Sequence, residues 1–139
     1  PATHLIKVAV EAVVGKRSVV KIYGIDYPTP DGTCIRDYIH VCDLITAHMA
    51  ALNHLQRGGA SLLANCGYGK GASVRDVLNV VASVAGQSLN VEDTVRRDGD
   101  AAVLVADSTK LRTELGWVPK YDNLQRIVSD ALTWERTNS

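Results

Sequence analysis

Apolar residues recur along this chain with two periods, and the switches between them mark out its elements. Leu5, Val8, Ala9, Ala12 and Val13 fall on one helical face, which Thr3 can cap and Gly15 ends. The stretch "SVVKIYG" is rich in β-branched residues and reads as a strand. A polar loop follows. Leu44, Ala47, His48, Ala51, Leu52 and Leu55 then recur at helical spacing, with Asp43 as the cap and "RGG" as the stop. "SLLANC" reads as a short buried strand. Ser73 caps a helix striped by Val74, Val77, Leu78, Val81 and Val84, and "LNVEDTV" reads as another strand. Ser108 opens a short helix that runs to Leu115 and closes at Gly116, with Pro119 beyond it. Asn123 starts a last helix that turns Leu124, Ile127, Val128, Ala131 and Leu132 inward. Alternating helices and strands make the class α/β.

Composition narrows the picture. A length of 139 residues suits one domain with a core of its own. Lys plus Arg and Asp plus Glu number 15 each, so no basic surplus points to nucleic acid or a membrane surface. No apolar run approaches the roughly 18 residues of a membrane span. Cys34, Cys42 and Cys66 are odd in number and lack CxxC spacing, which favours reduced thiols in a cytoplasmic setting. Phe is absent, so Val, Leu, Ile and Ala must build the core. The chain enters a helix within three residues, which reads as a cut end rather than a natural start.

Three constellations could carry chemistry. "NCGYGKGAS" runs from a strand through Gly67, Gly69 and Gly71 into a helix, with Glu92 and Asp93 further on. Its spacing is GxGxG, not the GxGxxG of a dinucleotide fingerprint, so tight-turn glycines explain it better. Cys34, His40, Cys42 and His48 carry metal-capable atoms in no zinc spacing. Arg36 follows the polar loop, and "VRRDGD" groups Arg96, Arg97, Asp98 and Asp100 around Gly99. Two separated arginines can clamp a diphosphate, because each guanidinium offers a planar fork of donors. Surface salt bridges are the competing reading.

The motifs themselves resemble a known family. "YGIDYPTPDGTCIRDYIHVCDL" is similar to the signature segment of UDP-glucose 4-epimerases, of the extended short-chain dehydrogenase/reductase superfamily. "THLIKVAVEAVVGKRSVVKIYG", "NCGYGKGASVRDVL" and "RRDGDAAVLVADSTKLRTELGW" resemble further segments of the same family, in order, over nearly the whole chain. The resemblance implies a two-lobed enzyme. Its Rossmann lobe holds NAD and a Tyr-x-x-x-Lys pair, and its smaller C-terminal lobe grips the UDP of UDP-glucose or UDP-galactose. None of the five tyrosines here has Lys four positions on. Residues 1–139 thus correspond to the C-terminal lobe alone, without the Rossmann lobe, and are expected to be inactive and to bind no NAD by themselves.

Residue by residue, the resemblance sets His4 and Leu5 beside the UDP, and Val20, Lys21 and Tyr23 on the strand lining the uracil. It puts Arg36 and Arg97 on the diphosphate, Asp100 on the ribose, Val74 against the nucleotide and Leu104 beside the hexose. Lys7 departs from the family's usual Pro, Cys66 from Leu and Tyr68 from a smaller residue. A homodimer, no nucleic acid and no membrane are the expected partnerships. A non-catalytic nucleotide-sugar-binding module, a related dehydratase or epimerase fragment, and a structural α/β domain remain the alternatives.

Overall fold

In a computed structural model, residues 3–138 form ten elements, which order two small sheets within a shell of helices. Helices α1 (Leu5–Val13), α3 (Val74–Ala85) and α5 (Leu124–Thr137) pack on one another and on strand β1 (Val20–Tyr23). β1 pairs in parallel with β4 (Val91–Thr94), Val20 opposite Val91. A second sheet is made of two-residue strands. β2 (Ile35–Arg36) lies between β3 (Ala72–Ser73), antiparallel, and β5 (Val103–Leu104), parallel. Helix α2 (Val41–Gln56) packs against α4 (Thr109–Leu115).

Two cores result. Ala9, Val20, Ile22, Val77, Leu78, Val81 and Val128 form the first, where the apolar stripes of α1, α3 and α5 meet β1. Ala47, Tyr68, Leu111, Trp117 and Ile127 form the second, between α2, α4 and α5. Lys7 has a use for its departure from Pro: its ammonium pairs with Glu135, which is 2 % exposed and also accepts from Lys16 at 2.8 Å. That paired carboxylate ties α5 to α1, and a buried charge is tolerable only when paired in this way.

Local capping follows the sequence at α3 and α5. Ser73 and Asp76 form a reciprocal capping box, and the Asn123 side chain accepts from the Arg126 amide. Elsewhere the reading needs correction. His4, not Thr3, occupies the cap position of α1. His40 caps α2 through its Nδ1, which accepts from the Cys42 amide at 3.1 Å. Asp43 sits one turn inside and is 1 % exposed. Residues 61–66 form no strand, and Leu63 is 87 % exposed, because no neighbouring strand among the described residues offers them a ladder. Leu52 and Leu55, expected inward, lie with Val41, Ile45 and Met49 on an exposed apolar face of α2. No helix among the described residues is long and apolar enough to cross a membrane.

Asp43 earns its burial. Its carboxylate accepts from the Tyr68 hydroxyl at 2.7 Å and from the amides of Lys120 and Tyr121 at 2.9 and 2.8 Å. Burial raises its pKa, but Tyr68, Lys120, Tyr121 and His40 outweigh burial and hold it below the ordinary value. Asp43→Ala should therefore destabilise the chain by about 3 kcal/mol or more in urea unfolding, because three donors lose their acceptor. A carboxylate with a lowered folded-state pKa stabilises above its unfolded value and stops doing so as pH falls through the folded one. The stability gap between wild type and Asp43→Asn should accordingly narrow below about pH 4. A pH-independent gap would show that Asp43 acts by shape alone.

Candidate functional site

A cleft of about 770 Å³ opens between the start of α1, strand β1, the β2 strand and the segment after β4. Period-two alternation sorts β1: Val20 and Ile22 are buried, while Lys21 and Tyr23 are exposed on the other face. His4, Leu5, Lys21, Tyr23, Arg36, Val74, Arg97 and Asp100 all line the cleft. The structure thus brings together eight positions drawn from five separate stretches of sequence. Val20 is not among them; it is 0 % exposed, in the first core. Leu104 lies outside the lining too, 64 % exposed on β5 and opposite Arg36 in the parallel register.

The charges converge on one carboxylate. Arg97 donates from Nε to Asp100 Oδ2 at 3.0 Å, and Arg36 Nη2 stands 3.6 Å from Asp100 Oδ1. The Arg97 guanidinium also lies 4.6 Å from the centre of the Tyr23 ring. Arg36 donates back to the Ile35 carbonyl at 2.8 Å, which folds its stem along β2. Two guanidiniums against one carboxylate leave a surplus positive charge facing the cleft. An anion with several oxygens can take over the fork donors that Asp100 now engages.

The sequence reading missed Cys34, Asp37 and Tyr38, which also line the cleft. Alternation from Arg36 was the available signal for Tyr38. Burial pushes the Tyr38 phenol up to about 12, Arg36 opposing and Cys34 adding to it, so it stays protonated and cannot serve as a base near neutrality. Asp37 accepts from the amides of Tyr68 and Gly69 at 3.1 and 3.0 Å, and from Ala106 at 3.3 Å. It is the peg that fixes the end of β2 to the glycine run.

That run is shaped by packing. A Cβ on Gly67 would stand 2.5 Å from an Asp37 carboxylate oxygen and 2.7 Å from the Ala106 side chain. One on Gly71 would collide with Ile35. These glycines admit the chain's own neighbours, so they offer no cradle that fits a dinucleotide pyrophosphate. Cys34, His40, Cys42 and His48 form no metal-binding group among the described residues. His40 is committed to its cap and to Asp130, 3.0 Å from its Nε2. A smaller hollow of about 320 Å³ between α2 and α4 is lined by Ala47, Leu55, Leu62 and Leu111 and has no Lys or Arg in its wall. Cys66 lies there, its thiol pushed up by burial and by Asp37 and Asp43, away from reactivity.

Known proteins are similar to this chain in sequence and fold. The family model described as GDP-mannose 4,6 dehydratase matches residues 1–130. The chain belongs to that family. Relatives similar to this chain carry the name read from the motifs. A UDP-glucose 4-epimerase of Azospirillum brasilense is 57 % identical over 98 % of this chain and 39 % of its own length. The structure of a UDP-Glc/GlcNAc 4-epimerase from Campylobacter jejuni superposes with a TM-score of 0.87 at 47 % identity, over 99 % of this chain and 41 % of that one. A Bifidobacterium longum UDP-glucose 4-epimerase, solved with NAD+ and UDP, gives 0.88 at 34 % identity, over 97 % and 40 %. The resemblance to UDP-glucose 4-epimerases is borne out, and so is the α/β class. The chain spans about two fifths of the length of these relatives.

Gly67→Ala should cost about 1–3 kcal/mol of stability, since the added methyl must displace the Asp37 peg or Ala106. Gly99→Ala has open space around it and should cost less, its φ of +81° being the only strain. Thermal denaturation of the two variants side by side checks the order; equal losses would remove the close-approach argument.

Proposed function

We propose that this chain is the UDP-sugar-binding C-terminal lobe of a UDP-glucose 4-epimerase. The observation that carries the reading is the cleft in which Arg36 and Arg97 meet on Asp100, beside the Tyr23 ring. In this reading the two guanidiniums take the diphosphate, and Asp100, released from them, accepts from ribose hydroxyls. Tyr23 and Lys21 border the uracil, with His4, Leu5 and Val74 completing the walls. Leu104, across the sheet from Arg36, borders the hexose. Val20 acts from behind, as the buried residue that fixes the strand.

The whole protein would interconvert UDP-glucose and UDP-galactose. NAD would accept and return the hydride in the other lobe, since this chain has neither a dinucleotide fingerprint nor a Tyr-x-x-x-Lys pair. What these residues contribute is binding and orientation, which holds the sugar in one place while the cofactor acts. The chain alone is expected to turn over no UDP-galactose. The relatives' greater length supports a further element of the reading: the NAD-binding lobe covers the exposed face of α2, formed by Val41, Ile45, Met49 and Leu52. Assembly of the whole protein as a homodimer belongs to the same proposal. Three free cysteines support a reducing, cytoplasmic setting.

Calorimetric titration with UDP tests the cleft. Arg36→Ala and Arg97→Ala should each weaken binding roughly tenfold or more, as a charge-assisted hydrogen bond contributes about 1.5–3 kcal/mol. Arg97→Ala should leave the melting temperature nearly unchanged, because Arg97 is 56 % exposed. Unchanged affinity with a collapsed melting temperature would make the arginines structural. Sedimentation tests the α2 face. The 139-residue chain should self-associate, and Ile45→Lys with Met49→Lys should make it monomeric. A monomeric wild-type chain would refute that part.

A further inference from the structure

Arg97 and Asp100 stand on a segment that the backbone barely holds. The last ladder bond of the first sheet is Gly24 N–H to the Thr94 carbonyl, and the next attachment is Ile35 N–H to the Ala102 carbonyl. Between them, among the described residues, the backbone of residues 95–101 makes one bond to other backbone, internal to its own turn, from Asp100 N–H to the Arg97 carbonyl, and the Val95 carbonyl accepts from the Thr94 hydroxyl next to it at 3.3 Å. Val95 is 85 % exposed, and Gly99 adopts a φ of +81° in open space. The arm's position over the cleft is therefore set by side chains.

Outside the cleft, the side chain that does this is Arg96. Its Nε donates to Asp26 Oδ1 at 2.6 Å, and Nη2 donates to the Asp26 carbonyl. Its guanidinium covers the Tyr27 ring, 4.1 Å from the ring centre. Tyr27 is 5 % exposed, and its ring is the part that Arg96 covers. Gly24 keeps the seat open: a Cβ there would strike both the Tyr27 ring and the Arg96 stem. Arg96 also holds the Asp26 carboxyl below its ordinary value. The two adjacent arginines thus stack on two tyrosines four residues apart, Arg96 on Tyr27 of the loop outside the cleft and Arg97 on Tyr23 at the end of β1 within it.

We propose that Arg96 is a positioning residue: it pins the 95–101 arm to the loop at 24–27 and so holds Arg97 and Asp100 in register with Arg36 across the cleft. Its bearing on UDP rests on the reading of the cleft given above, while the pin itself does not. A positioning role predicts an effect that passes through Arg97. In the 139-residue chain, Arg96→Ala should weaken UDP binding about fivefold, and Arg96→Lys, which keeps the ion pair, should recover about half of that loss. In an Arg97→Ala background, Arg96→Ala should add less than about twofold, since residues that act as one unit are not additive. Amide exchange at 95–101, read at its bonded amide Asp100, should rise in Arg96→Ala, with the melting temperature and exchange in α3 unchanged.

Full additivity with Arg97→Ala overturns the proposal, and so does lost affinity without faster exchange, because Arg96 would then touch the ligand itself. Faster exchange with unchanged affinity overturns it as well. If the wild-type chain binds no UDP, the cleft reading fails, and exchange at 95–101 alone decides on the pin: unchanged exchange in Arg96→Ala removes it.

Discussion

Asp43 is almost wholly buried and still ionised, because the chain brings three donors to it from distant places. The Tyr68 hydroxyl comes from the glycine run, and the Lys120 and Tyr121 amides come from the turn between α4 and α5. The Asp43 carbonyl takes a fourth donor, Trp117 Nε1, at 3.1 Å. The Tyr68 hydroxyl in turn accepts from the His40 amide, and the His40 ring stacks on Tyr121 at 4.6 Å. Removing this carboxylate would take the acceptor from three donors of two segments. The second core closes around it for that reason, and the first turn of α2 is fixed at the same time.

With α2 fixed, the chain just before it is fixed too. Residues 35–40 run from β2 to the cap at His40, and Asp37 pegs their middle to the glycine run. β2 is only two residues long, which by itself would hold little. It is held by strands on both sides and by the close approach that Gly67 and Gly71 permit. Arg36 therefore leaves a rigid backbone. Arg97 leaves a segment held through side chains, and the cleft joins one arginine of each kind.

The two sides of the molecule differ in character. The cleft is lined by charged side chains together with aromatic and apolar ones, its arginines already neutralised in part by Asp100. The α2 side shows Val41, Ile45, Met49, Leu52 and Leu63 to solvent. Residues 60–66 run beside it without a strand partner among the described residues. An apolar helix face next to unpaired extended backbone is a surface that folding of this chain alone leaves unfinished.

Periodicity alone located all five helices, both caps of the Ser73 and Asn123 type, and the two strands of the first sheet, because those signals are local. The motifs around Arg36 and in "RRDGD" marked the arginines for the same reason: residue type and order carry them. The two-residue strands β2, β3 and β5 were illegible, since what makes them strands is the neighbour across the ladder. Asp43 looked like a cap because nothing in its neighbours in sequence announces donors 25 and 77 residues away. Leu52 and Leu55 looked inward because their spacing is that of a core face; only the packed chain shows that nothing covers them. Val20 and Leu104 were carried into the site by the resemblance; strand alternation buries Val20 behind β1, and Leu104 stands on β5 next to Arg36, beside the cleft lining. Sequence determined the residue types and their order; which of them share one cleft was decided by the buried carboxylate, the close approach of glycines and the arginine stacks, all contacts between residues far apart in the chain.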